Sequence, residues 1–203
     1  MKKGLHYFSQ EERVFEREWS GARDRFFDPL CSFLARVGIS PNLVSLAGLA
    51  MLVGVWLNFA ARPQLAFAFL VLYVLCDAID GCVARKLKRA SRAGAFVDII
   101  CDQTGMAVVT ILLMAYNLIS PVMGGAYIYA YCLMIAVTVT RNALGVPPRW
   151  IFRTKYFLFL VYGAWAFRLG DWFSEFFWIA TPLTIVFAVS GCVMLYRRLK
   201  RVR

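Results

Sequence analysis

Charge is missing from long stretches of this 203-residue sequence. Residues 103–140 contain no Asp, Glu, Lys, Arg or His, and neither do residues 176–196. Charged residues make up 17% of the chain and hydrophobic ones 61%, which excludes an ordinary soluble domain, whose surface needs more charge. A membrane span takes about 20 apolar residues, so the first uncharged stretch is long enough for two. Paired cysteines are absent too. Cys31, Cys76, Cys82, Cys101, Cys132 and Cys192 are scattered with no CxxC, which argues against a zinc site or disulfide framework and reads as small buried hydrophobes. There is one histidine, His6, which reads as incidental. The opening residues 1–18 are polar and lack the apolar core of a signal peptide. Without repeats or low-complexity tracts, the chain reads as one domain, 38–203, preceded by a juxtamembrane segment, 1–37.

Acidic residues are also scarce, 12 against 23 Lys and Arg, a net charge of +11 that raises the question of nucleic acid. The distribution answers it. Six spans are expected, at about 42–61, 64–86, 94–117, 122–141, 152–169 and 176–196. They leave 21 of the 23 cations on one side, with only Arg62 and Arg168 opposite. That asymmetry predicts both termini in the cytoplasm, in the cell's inner or plasma membrane, with the basic loops against anionic headgroups. No nucleic-acid partner is expected. Residues 11–36 alternate aromatic and aliphatic positions (Phe15, Trp19, Phe26, Leu30, Phe33, Leu34) with arginines, the pattern of an amphipathic helix on the cytoplasmic membrane surface. The expected fold is therefore all-α, a bundle of six transmembrane helices preceded by a surface helix.

Turn signals divide the spans. Ser40-Pro41 supplies an N-cap and a first-turn proline for the first helix. Ala61-Arg62-Pro63, Ser120-Pro121 with Gly124-Gly125, Gly145-Val146-Pro147-Pro148 and Gly170-Asp171 mark the later connections. The aromatic group Trp172, Phe173, Phe176, Phe177 and Trp178 reads as an interfacial belt. Short loops leave no soluble domain for chemistry, which must lie within the bundle or at its cytoplasmic rim.

Four aspartates stand where carboxylates are costly. Asp77, Asp80, Asp98 and Asp102 fall in the second and third spans, and each ionised carboxylate in mid-membrane costs about 2.5–3.5 kcal/mol. Asp77, Asp80, Gly81 and Ala84 lie on one helical stripe, as do Gly94, Asp98 and Asp102. A short basic loop makes the two helices antiparallel neighbours, so the stripes are expected to face each other near the cytoplasmic end. Converging carboxylates need cations between them, and hard oxygen donors suit Mg2+ or Mn2+, with Ca2+ a further candidate. Four suffice for two ions. Gly81, Ala84 and Gly94 leave room for a bulky ligand, and Arg85 offers a fork for phosphate. Together these point to phosphoryl transfer. An ion-pair network with Arg85, or a cation path through the membrane, remains the competing reading of the aspartates alone.

The run Asp77-x2-Asp80-Gly81-x2-Ala84-Arg85-x8-Gly94-x3-Asp98-x3-Asp102 resembles the signature of the CDP-alcohol phosphotransferase family at all eight of its fixed positions. Ser40-Pro41-Asn42-x2-Ser45-x2-Gly48 is similar to the family's opening motif, with serine at both threonine positions. The resemblance implies that Asp77, Asp80 and Asp98 ligate metals holding the donor's pyrophosphate. Asp102 would be a further metal ligand or the base that deprotonates the acceptor hydroxyl. Arg85 would neutralise the pyrophosphate, Gly81, Ala84 and Gly94 would border the cytidine, and Asn42 and Ser45 would lie near the nucleotide. Gln103 stands where many family members have arginine, a departure that bears on the acceptor pocket.

The reaction so implied is metal-dependent transfer of a phosphatidyl group from CDP-diacylglycerol to a polar alcohol such as inositol phosphate or glycerol 3-phosphate, releasing CMP, by a homodimer. The alternatives are the mirror reaction, a CDP-aminoalcohol with diacylglycerol, and a membrane cation transporter. Arg141, Arg149, Arg153 and Lys155 either bind a phosphate on the acceptor or only obey the positive-inside rule.

Overall fold

The computed structural model describes residues 26–87, 92–145 and 153–201 of the chain. Among these residues there are seven helices and no strand. Helix α1 covers 26–36, followed by α2 (Pro41–Asn58), α3 (Pro63–Lys86), α4 (Arg92–Ala115), α5 (Pro121–Ala143), α6 (Lys155–Ala166) and α7 (Phe173–Arg201). Five of them, α2, α3, α4, α5 and α7, are long and apolar enough to cross a membrane. The sixth expected span, 152–169, is described as α6 from Lys155. Its 12 residues run roughly 18 Å, short of a hydrocarbon core about 30 Å thick.

The helix ends follow their capping chemistry. Ser40 and Ser120 cap α2 and α5, accepting from the backbone N–H of Leu43 and Met123, and Pro41 and Pro121 occupy the first helical positions. Gly38, at φ +79°, closes α1: Ile39 N–H reaches Leu34 O and Gly38 N–H reaches Ala35 O. The α4–α5 turn uses the same closure with Asn117 in the left-handed position. Gly124 and Gly125, expected in that turn, instead lie inside α5. A Cβ on Gly124 would sit 2.5 Å from Met114 Sδ, so the glycine lets α5 close on α4.

Packing places α2 chiefly against α3 and α5 against α7, with α4 touching α2 and α5, and α6 wedged beside α3, α4 and α7. Tyr162 of α6 donates to Phe59 O at 3.1 Å and stacks on the Phe59 ring at 4.7 Å, so α6 is anchored in the core. The predicted aromatic belt divides in two. Trp172 and Trp178 are exposed, but Phe173 and Phe177 are fully buried, and Phe177 meets the Tyr127 ring edge-on at 5.1 Å. Positions 173 and 177 are one helical turn apart, so they share the face of α7 turned to the core. All six cysteines are free; Cys31, Cys82 and Cys101 are buried as expected, Cys76 and Cys192 are half-buried, and Cys132 is exposed.

Only the last part of the predicted amphipathic segment, from residue 26, lies within the described residues. There α1 is apolar on two sides. Cys31, with Phe27 and Leu34, packs against Val44, Ile79, Cys82 and Val83 of α2 and α3. Phe26, Leu30, Phe33 and Val37 form an exposed stripe at i, i+4, i+7 and i+11. Lys86 Nζ, at the end of α3, pins the helix from the polar side, 2.6 Å from Asp28 Oδ1 and 2.6 Å from Ser32 Oγ.

Candidate active site

The four aspartates come together where α2, α3, α4 and the start of α6 meet. Asp80 and Asp102 are buried, at 7% and 4% exposure, and Asp77 and Asp98 are half-buried. Asp77 lies within electrostatic reach of the other three, and Asp98 of Asp80 and Asp102. Each stripe also reaches a further helix. Asp80 turns toward α2, where Ser45 Oγ donates to its Oδ2 at 2.5 Å. Asp102 turns toward α6, where Lys155 Nζ donates to its Oδ1.

Tyr73 sets the joint between the two aspartate-bearing helices. It sits one turn before Asp77, is 2% exposed, and donates its hydroxyl to Cys101 O at 2.7 Å, beside Asp102. Its ring lies against the backbone of Gly105, where an added Cβ would come within 2.4 Å of it. On the same helix as Tyr73, a Cβ on Gly81 would lie 3.4 Å from Arg85 Nη1, so the guanidinium rests over the glycine. Ala84 and Gly94 are half-buried, and Asn42 is exposed on the first turn of α2, three residues before Ser45.

The basic residues separate. Arg153 and Lys155 belong with the aspartates: Arg153 acts electrostatically on Asp98, and Lys155 on Asp77, Asp98 and Asp102. Arg141 is buried at the end of α5, with Nη1 3.9 Å from where a Cβ on Gly191 of α7 would sit. Arg149 lies outside the described residues. Two features escaped the sequence reading. Tyr73 extends the Asp77–Asp80 stripe backward by one turn, a signal that was present. The pairing of Lys155 with Asp102 spans 53 residues and left no local signal.

The donor set, four carboxylates, is chemically right for a hard divalent cation. As placed, no three His, Cys, Asp or Glu side chains among the described residues close on a single point. Two of the four carboxylates are engaged by Ser45 and Lys155 instead.

A family model described as CDP-alcohol phosphatidyltransferase matches residues 38–189, three quarters of the chain, across the whole cluster. The chain belongs to that family. A phosphatidylinositol phosphate synthase of Streptomyces avermitilis is 40% identical over 81 residues, 39% of this chain and 33% of that protein. An archaetidylinositol phosphate synthase of Aeropyrum pernix is 34% identical over 93 residues, 44% and 47% of the two chains. The match thus spans less than half the length of these curated relatives. In fold, the chain is similar to a crystal structure of Mycobacterium tuberculosis phosphatidylinositol phosphate synthase with CDP-DAG bound. The TM-score is 0.67 at 21% identity, covering 84% of this chain and 91% of that one. The family signature therefore sits on a matching family architecture, with Asp77–Arg85 on α3 and Gly94–Asp102 on α4.

Proposed function

We propose that this chain transfers a phosphatidyl group from CDP-diacylglycerol to a polar alcohol that carries a phosphate, with inositol phosphate the leading acceptor, and releases CMP. One observation carries the reading: Arg153 and Lys155 stand in the same polar cluster as the signature aspartates. An acceptor phosphate drawn to those cations would bring its hydroxyl toward Asp102, which would take the proton as the new O–P bond forms and the bond to CMP breaks. Arg85, at the end of α3, would hold the donor's pyrophosphate by its planar fork. Ser45, bonded to Asp80, would orient that carboxylate, and with Asn42 it would lie near the nucleotide. Asp77, Asp80, Asp98 and Asp102 would hold Mg2+ or Mn2+, two ions, and bound divalent charge would compensate the pyrophosphate oxygens.

The same reading includes six spans with α6 as a short interior member, both termini cytoplasmic, and a homodimer. It is tested by CMP release from CDP-diacylglycerol by purified protein with Mg2+, against glycerol 3-phosphate, inositol phosphate, inositol and serine, with an acceptor-free control. Release with a phosphorylated acceptor, abolished by EDTA and by Asp98→Ala, supports it. Release only from CDP-choline or CDP-ethanolamine with diacylglycerol replaces it with the mirror reaction.

A further inference from the structure

Lys155 is in an unfavourable place for a lysine. It is the first residue of α6, where the helix dipole presents its positive end. It is 1% exposed, a depth at which an ammonium is rarely found without a partner. The start of α6 is held there independently of the charge. The Thr154 hydroxyl makes no cap bond to the helix and instead hydrogen-bonds the Tyr127 hydroxyl of α5 at 2.8 Å. Below, Leu158, Phe159 and Tyr162 join the core. The helix therefore delivers Lys155 to a fixed point, and at that point is Asp102.

The surroundings explain why a cation is needed. Four carboxylates share the cluster, and an array of that charge is unstable at this depth unless positive charge enters it. Lys155 and a divalent ion are two ways to supply it, and both address Asp102.

We propose that Lys155 is the protein's own counter-ion for the carboxylate cluster: it holds the site together without divalent metal and competes with the metal for Asp102. The inference rests on the divalent-metal reading above and adds an exchange of cations at one carboxylate. On metal entry the ammonium is released from Asp102, on the side of the cluster where Arg153 also stands.

The test uses full-length protein in lipid nanodiscs, purified with Mn2+ and then stripped. Wild type, Lys155→Met, Lys155→Gln and Lys155→Arg are compared by melting temperature in EDTA and in saturating Mn2+, and by Mn2+ affinity from the electron paramagnetic resonance signal of the free ion. Loss of the ammonium in Lys155→Met should lower Tm in EDTA by on the order of 10 °C, with most of that deficit recovered in Mn2+. Mn2+ should bind that variant about tenfold tighter than wild type. Lys155→Gln, which keeps a hydrogen-bond donor but no charge, should behave like Lys155→Met and serves if the methionine variant does not fold. Lys155→Arg should stay near wild type. An equal Tm loss in EDTA and Mn2+, with unchanged or weaker Mn2+ binding, makes Lys155 a plain structural residue and overturns the exchange while leaving the metal site standing. If Mn2+ neither binds nor stabilises wild type, the metal reading itself fails and the exchange falls with it.

Discussion

The Tyr73 hydroxyl is bonded to the main-chain carbonyl of Cys101, so the residue one turn before Asp77 is fixed to the residue next to Asp102. α3 and α4 touch over a small area, and this bond lies within it. The alignment of the two aspartate stripes therefore depends on few contacts, and changes there should act on the site.

Gly105→Ala places a methyl against the Tyr73 ring and should destabilise by about 1–3 kcal/mol, as overpacking does. Tyr73→Phe keeps the ring and loses one hydrogen bond, about 1 kcal/mol. Because the clash is with the ring, Tyr73→Phe should not rescue Gly105→Ala, whereas Tyr73→Leu should rescue it in part. A double-mutant cycle by thermal melting reads the coupling; strict additivity of the leucine pair would show that the ring contact does not set the helix spacing.

Asp102→Asn removes the proposed base while Asp77, Asp80 and Asp98 remain. Turnover should fall by roughly 100-fold or more, with CDP-diacylglycerol affinity changed little. Stability should fall as well, since the substitution leaves Lys155 without its buried partner. Parallel measurement of kcat and of donor binding decides it: equal losses in both would remove Asp102 from the role of base.

Arg153→Ala should raise KM for a phosphorylated acceptor by about 10- to 100-fold, the value of a charge-assisted hydrogen bond, and leave KM for the donor alone. Steady-state kinetics with each substrate varied in turn separates the two. An unchanged acceptor KM would return Arg153 to a topological role.

The contact between α1 and α3 should be pH-dependent in one direction. The hydrogen bond from Lys86 holds the Asp28 carboxyl below its ordinary value. Its contribution is then complete above the ordinary carboxylate range and fades as pH falls through that range toward the lowered value. Labelling of Cys31, buried where α1 packs on α2 and α3, should rise on acidification when followed by mass spectrometry, and Asp28→Asn should flatten that rise. Because the pair is exposed, added salt should weaken the effect.

The aspartate stripes and their helices were legible because both follow from spacing: carboxylates at i, i+3 and i+4 within apolar runs admit few structures. Five spans were legible for the same reason. The pairing of Lys155 with Asp102 was not, since its partner lies on another helix and a cation beside a basic loop is also what the expected topology demands. Phe173 and Phe177 were misplaced in a belt because composition does not say which face of a helix looks inward; their spacing of four held that information. Gly124 and Gly125 looked like turn residues, but the turn was already closed by Asn117 and Ser120, which freed Gly124 to admit a neighbouring helix.

The outward stripe of Phe26, Leu30, Phe33 and Val37 bears on how the protein must be handled. These side chains need an apolar cover in whatever medium surrounds them. The helix that carries them also carries Asp28 and Ser32, which are joined to the C-terminal end of α3, one residue past Arg85. A detergent that wets this stripe poorly would pull on the end of a signature-bearing helix, so the choice of amphiphile in purification becomes a structural variable, with bilayer discs the natural reference and short-chain micelles the stringent case.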